Sequence, residues 1–228
     1  MAELKMLPPK MQICAPDGRY KAVVFDMDGT LYDQKRLRLT MAIRLCLYYF
    51  CHPFKIRELF VLKTFREVRE HWPETDTDAQ ENIDRLQYER VATKHHVTAE
   101  LVEKVVERWI YEDPLSALPK YRDDKLAAYI QALREADIPV YIFSDYPAED
   151  KLKALEIAVD DIYAPGDERE VELKPSPQGL LLLMKEHGLT PEEVLLVGDR
   201  DEKDGEAARR AGVDCVILSR KVSERQYS

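Results

Sequence analysis

The chain has 228 residues and carries 34 Lys and Arg against 43 Asp and Glu, a net charge of −9. That acidic balance excludes non-specific nucleic-acid binding, which needs a basic face. It also means that a small anionic substrate is repelled unless a metal ion or local cations reverse the field at its site.

The four cysteines, Cys14, Cys46, Cys51 and Cys215, form no C-x-x-C pair, and the five histidines show no ligand spacing with them. Reduced, buried thiols in a cytoplasmic protein are therefore expected, not a zinc site or a disulfide framework. Residues 1–19 read as an arm: Pro8 and Pro9 interrupt it, and it has no apolar core of signal-peptide length. No stretch approaches a membrane span. The first strand signal is the apolar run Lys21–Phe25. It feeds directly into FDMDGTLYD, Phe25–Asp33, where Asp26 and Asp28 stand one residue apart ahead of Gly29. Two like charges at the end of a buried strand suffer both desolvation and repulsion, so the arrangement calls for a compensating cation.

From Gln34 to Leu118 only helical patterns appear: Lys35–Cys51, Phe54–His71, Asp76–His95 and Thr98–Tyr111, divided by Pro53, Pro73 and Pro114. This is a helical bundle inserted after the first strand, residues 34–118. The stretch Leu39–Phe54, most of it in the first helix, is apolar around nearly its full circumference, whereas a surface helix shows a polar face. It is either the buried helix of a bundle, a homodimer interface or an apolar substrate lining. Lys35–Trp72 holds nine Lys/Arg and three Asp/Glu, and Pro73–Asp113 holds five against eleven. Either two solvated faces pair with one another, or Arg36, Arg38 or Arg44 meets an anionic substrate.

Beyond the insertion, strand signals at Ile138–Phe143, Asp161–Ala164, Glu193–Gly198 and Val213–Leu218 alternate with helical patterns at Arg122–Ala136, Ala148–Ile157, Pro177–His187 and Glu202–Ala211. Such alternation builds βαβ units. The expected fold is α/β: a Rossmann-like parallel sheet with helices on both faces, formed by residues 20–33 and 119–228, plus the inserted bundle.

Ligands of such sheets bind outside the carboxyl ends of the strands. The polar residues that end the strands are Asp26 and Asp28, then Ser144 and Asp145, then Asp199 with Asp201, Glu202 and Asp204 close behind; Lys174 precedes a helix in the third crossover. Clustered carboxylates suit Mg²⁺ shared with a substrate phosphate. One Asp can attack phosphorus, and a second can move a proton if burial or nearby carboxylates raise its pKa. A hydroxyl and an ammonium can hold phosphoryl oxygens, and Gly29 allows a sharp turn with its N–H groups presented to an anion.

These segments resemble the four motifs of the haloacid dehalogenase superfamily, in the family's order: DMDGTL, FSD, LKPSP and VGDRDEKDGEAARRAG. Within it the chain is similar to phosphatases of the phosphoglycolate phosphatase-like group, which carry a helical cap after the first strand. The resemblance implies Asp26 as nucleophile and Asp28 as general acid/base. It implies Mg²⁺ held by Asp26, the backbone carbonyl of Asp28 and Asp199, with Asp204 behind them, and Ser144 and Lys174 on the phosphoryl group. The substrate implied is a small phosphorylated metabolite, with a cap that opens to admit it. Asp145 stands where many relatives have Asn. Superfamily dehalogenases lack the second aspartate. Sugar phosphomutases share it but carry a histidine where this chain has Arg38. A mutase, and a non-catalytic binding protein using the apolar helix, are the alternatives.

Overall fold

The computed structural model describes residues 18–72, 83–165, 169 and 171–225. The chain divides into two compact units, one running to Lys35 and resuming at Tyr121, the other Arg36–Lys120.

The first unit is built on five parallel strands: β1 (Ala22–Phe25), β2 (Val140–Phe143), β3 (Asp161–Tyr163), β4 (Val194–Gly198) and β5 (Asp214–Ile217). Their order across the sheet is β3-β2-β1-β4-β5. All five lie within or close to the runs read from the sequence. The helices, in chain order, are α1 (Gln34–Cys51), α2 (Arg57–Glu70), α3 (Ile83–His95), α4 (Ala99–Val106), α5 (Asp124–Glu135), α6 (Glu149–Leu155), α7 (Gln178–His187) and α8 (Glu206–Ala211). Parallel strands covered on both faces read as continuous apolar runs, and β1, β2 and β4 are buried at every residue. Ala22, Val24, Tyr141, Phe143 and Leu196 pack with Leu180, Leu183 and Met184 of α7 and Ala207, Ala208 and Ala211 of α8. Phe25, alternate to Val24 on its strand, meets Tyr129 of α5 edge-on. The expected helices on both faces are therefore present.

Where the chain leaves this unit and returns to it, the two crossings pair. Tyr32 and Arg122 form an antiparallel bridge, and the Asp33 amide donates to the Tyr121 carbonyl at 2.9 Å. Asp123 then caps α5 by accepting from the Leu126 amide.

The second unit contains α1 from Arg36 onward and α2, α3 and α4. The helix expected from Phe54 starts instead at Arg57, after a separate 3₁₀ turn at Pro53–Lys55. Proline lacks the N–H that would continue α1. The expected start of the third helix at Asp76 lies outside the described residues. The helix from Thr98 keeps its cap, Thr98 accepting from the Leu101 amide, but closes in a π-helical turn over Glu107–Glu112. The segment expected at Glu202–Ala211 likewise opens with a π turn, Asp201–Gly205. The basic and acidic halves of this unit meet at a buried cluster: Arg69 donates to Asp84 at 2.5 Å and to Gln87 at 2.7 Å, and Gln87 donates to the Phe65 carbonyl. Arg44 is tied down as well, donating to the Asp113 carbonyl and the Ser116 hydroxyl.

One of the three readings of α1 fails, and so does the expectation of buried thiols. Only Leu37, Met41 and Tyr49 are buried, so it is not an interior helix. Leu39, Ile43, Leu47 and Phe50, at helical spacing, are exposed, Phe50 to 87 %. Nor are the thiols uniformly buried, because Cys46 and Cys51 lie exposed and Cys215 is half-buried; Cys14 is outside the described residues. No helix among the described residues is long and apolar enough to cross a membrane.

Candidate active site

The strand order puts a topological switch at β1. The chain turns to β2 on one side and, after β3, crosses to β4 on the other, the arrangement that opens a crevice at the carboxyl ends. Asp26 follows β1 and Asp199 follows β4. The two strands pair with Phe25 opposite Val197, and the Asp26 amide still donates to the Val197 carbonyl at 2.8 Å. The backbone ladder thus aligns two carboxylates that lie 173 residues apart in sequence.

Lys174 supplies the positive charge. Its Nζ donates to Asp26 Oδ1 at 2.5 Å, to Asp204 Oδ1 at 2.5 Å and to the Phe143 carbonyl at 3.2 Å. Burial alone would depress this ammonium, but Asp204 and Asp26 outweigh burial and hold its pKa above the ordinary lysine range. Asp26 also accepts from the Thr30 hydroxyl at 2.8 Å. Burial pushes the Asp26 carboxyl well above the usual carboxylate range against the pull of Lys174, with Asp204 and Asp199 adding to the push.

Asp199 is raised to about 6 by burial and by Asp204. Its Oδ1 is buried with no hydrogen-bond partner among the described residues. Asp204 has both oxygens engaged: Oδ1 takes Lys174, and Oδ2 accepts from the Asp199 and Arg200 amides. Asp201 and Glu202 point elsewhere, toward Arg209 and toward Arg200 and Arg220 at the surface. Of the four acids in the last motif, the fold turns Asp199 and Asp204 inward.

Oxygens of Asp26, Asp199 and Asp204 lie within 4.8 Å of one another. Three carboxylates share one buried ammonium, with the exposed Arg220 reaching Asp199 Oδ2 only at 3.6 Å, and one of them keeps a bare buried oxygen; together they form a hard-oxygen donor set that the one buried cation does not neutralise. Those residues fit a divalent cation such as Mg²⁺. The turn that carries Asp28 depends on Gly29, whose φ is +103°. A Cβ there would lie 2.6 Å from Asp199 Oδ2, so glycine is required twice over.

Asp28 sits in different surroundings. Lys151 of α6 donates to both of its oxygens at 2.7 Å, and the Tyr32 hydroxyl donates to Oδ1. Burial would raise this carboxyl, but Lys151 and Tyr32 outweigh it and hold the pKa below the ordinary value. The expectation that Asp28 would be raised is thus reversed, because it allowed only for burial and carboxylates, and a lysine from a distant helix intervenes. Lys151 was missed in the sequence. Its signal was a lysine directly before Leu152 and four residues before Leu155, on the side of α6 that turns out buried.

Ser144 ends β2 beside β1 and is buried, with its hydroxyl accepting from the Tyr146 amide at 3.1 Å. Asp145 accepts from the backbone amide of Lys174 at 2.7 Å. That contact explains an extra carboxylate next to the second motif: it holds the loop that presents Lys174.

A model of haloacid dehalogenase-like hydrolases matches residues 20–212. A phosphoglycolate phosphatase of Pseudomonas putida is 48 % identical over 46 residues, a stretch that is 20 % of this chain and 16 % of that protein. Among solved structures, the magnesium-bound HAD-hydrolase YfnB of Bacillus subtilis aligns at TM-score 0.56 and 16 % identity over 86 % of this chain and 87 % of its own. The defluorinating L-2-haloacid dehalogenase Rha0230 aligns at TM-score 0.60 and 20 % identity over 92 % and 85 %. The L-2-haloacid dehalogenase of Xanthobacter autotrophicus with chloropropionic acid covalently bound aligns at 0.57 and 18 % over 86 % and 76 %. At these identities the structural likeness concerns the fold.

Proposed function

The chain belongs to the haloacid dehalogenase-like hydrolases, and from that membership we propose that it is a Mg²⁺-dependent phosphatase acting on a small phosphate monoester through an aspartyl-phosphate on Asp26. One observation carries the reading: two aspartates one residue apart lie in opposite surroundings. Asp26 faces Lys174 and the bare oxygen of Asp199, while Asp28 is held by the proton-bearing groups of Lys151 and Tyr32.

In the first half-reaction an Asp26 oxygen attacks phosphorus and the ester P–O bond breaks. The leaving alkoxide takes a proton through Asp28, whose carboxylate draws it from the Lys151 ammonium or the Tyr32 hydroxyl that donates to it and returns one there in the second half-reaction. In the second, Asp28 as carboxylate takes a proton from water, the resulting hydroxide attacks phosphorus, and Asp26 is released with inorganic phosphate. Lys174, with Ser144 at the end of the neighbouring strand, neutralises charge on the phosphoryl oxygens. Bound Mg²⁺ would be held by Asp26, Asp199 and the backbone carbonyl of Asp28, and would supply electrostatic stabilisation of that charge. Asp204 keeps Lys174 and the Asp199 amide in place from behind.

The comparison with dehalogenases bears on this choice through leaving-group chemistry. A halide departs as a stable anion and needs no proton, whereas an alkoxide does. A second carboxylate with its own donors has a task only in the second case. The test is release of inorganic phosphate from p-nitrophenyl phosphate and a panel of phosphorylated metabolites, against halide release from 2-chloropropionate. Phosphate release that needs Mg²⁺, stops with EDTA and falls by about 10³-fold or more in Asp26→Asn is expected. Halide release without phosphate release would overturn the proposal, and isomerisation of a sugar phosphate faster than phosphate release would replace it with the mutase reading.

A further inference from the structure

Arg225 lies outside the residues that the family model matches and far in sequence from every motif, yet its side chain is fully buried. Its guanidinium donates to the Gly29 carbonyl at 2.5 Å, the Thr30 carbonyl at 2.6 Å, Asp123 Oδ2 at 2.9 Å and the Ser219 carbonyl at 2.7 Å. Four of the five N–H groups of an arginine are thereby used.

Two of those acceptors are consecutive carbonyls of the turn that follows Asp28. A trans peptide points its carbonyl and the next N–H in opposite directions, so fixing the two carbonyls fixes two peptide planes of the turn. The next backbone groups are held from the same quarter. The Leu31 carbonyl accepts from the Asp123 amide at 3.0 Å, and the Leu31 amide donates back to the Met27 carbonyl. The opposite side of the turn carries the chemistry: the Thr30 hydroxyl donates to Asp26 Oδ2, and Gly29 abuts Asp199. Arg225 therefore grips the back of the turn whose front contacts both Asp26 and Asp199. Its partner Asp123 also caps α5, immediately after the chain returns from the helical unit.

We propose that Arg225 is a positioning residue for the nucleophile-bearing turn. The planar fork can reach two adjacent carbonyls and a carboxylate at once, which a lysine ammonium on a flexible stem does not reproduce. Its effect on turnover rests on the hydrolase reading given above, but its effect on the turn does not, and the experiment separates the two.

Amide hydrogen exchange is compared in the full chain, Arg225→Lys and Arg225→Gln, together with Tm and, on the best phosphate monoester found for the parent, kcat and KM. Expected are exchange at the 29–31 amides at least about tenfold faster in both variants, with β4 amides unchanged. A kcat lowered about 10- to 100-fold with KM within about threefold is also expected, since a 1 Å misplacement near reacting groups costs on that order. Arg225→Lys keeps a charge for Asp123 and guards against loss of the fold. In Arg225→Ala, millimolar guanidinium is expected to restore part of kcat where methylammonium does not. Unchanged exchange at 29–31 in folded Arg225→Lys, or wild-type kcat per folded molecule, overturns the proposal. A parent that releases no phosphate while the variants still loosen the turn refutes the phosphatase reading and leaves the positioning role standing.

Discussion

The two units of this chain treat charge in opposite ways. The α/β unit buries Asp26, Lys174, Asp199, Asp204, Asp123 and Arg225 and leaves carboxylates in excess at one end of its sheet. Among the described residues the helical unit buries the cation Arg69 between Asp84 and Gln87, while its first helix turns apolar side chains outward. In the first case several charged groups are buried together and only partly neutralised. In the second, a buried ion pair holds two helices together and uncovered apolar surface remains. Each half of that contrast can be broken by substitution.

The largest effect on stability is expected at Arg69. Replacing it by Met keeps its volume but leaves Gln87 buried without its donor and Asp84 without its cation. Removing one member of a buried pair costs about 3–5 kcal/mol. Because a quarter of the Asp84 side chain is exposed and water can reach it, about 3 kcal/mol is the expected loss. Urea unfolding followed in the helical unit checks this; a loss below about 1 kcal/mol would show that the pair holds nothing together.

Asp199 should behave in the reverse sense. Its pKa is raised from 3.8 to about 6. Below about pH 4 the group is protonated whether the chain is folded or not. Between 4 and 6 the folded chain keeps a proton that the unfolded chain has lost, so stability falls as pH rises through this window and levels off above it. The loss in metal-free protein is up to about 3 kcal/mol. In EDTA, Asp199→Asn is expected to be more stable than the parent at pH 7 and equal to it near pH 4. Added Mg²⁺ should stabilise the parent and not the variant. A parent whose urea midpoint is flat from pH 4 to 7 in EDTA would remove the charge excess on which the metal assignment rests.

The same contrast explains what could be read from the sequence. The strand ends were legible because Asp26, Lys174 and Asp199 are charged residues at buried positions, where packing alone would place something apolar. The residues alone leave open which of Asp201, Glu202 and Asp204 turns inward; the resemblance implies Asp204 behind the metal ligands, and the fold turns Asp204 toward Lys174 and Asp201 toward Arg209. Contacts made by residues without a motif were hidden. Lys151 reaches Asp28 across 123 residues, and no local pattern announces that a lysine on a short helix will cancel the effect of burial. Arg225 is similar, its four bonds reaching three separate segments. In the helical unit, an apolar helix reports that surface is available for burial and is silent about what covers it. Leu39–Phe54 therefore fitted an interior helix, a dimer interface or an apolar substrate lining.

The smallest expected effect tests that last point. A side chain already in water loses little when made polar, and exposed substitutions usually fall within about 0.5 kcal/mol. Leu47 and Phe50 are 65 % and 87 % exposed, so Leu47→Ser and Phe50→Ser are expected to leave the urea midpoint within that range. Both keep α1, since serine at one position costs a helix only a few tenths of a kcal/mol relative to leucine or phenylalanine. Met41→Ser, on the buried side of the same helix, is the control and should cost about 2 kcal/mol or more by loss of packing. If the exposed substitutions approach the control, something covers this face in solution. The mass at increasing protein concentration then decides whether a second copy does so: a dimer that dissociates in Phe50→Ser would make the stripe an interface, and an unchanging monomer would exclude that occupant.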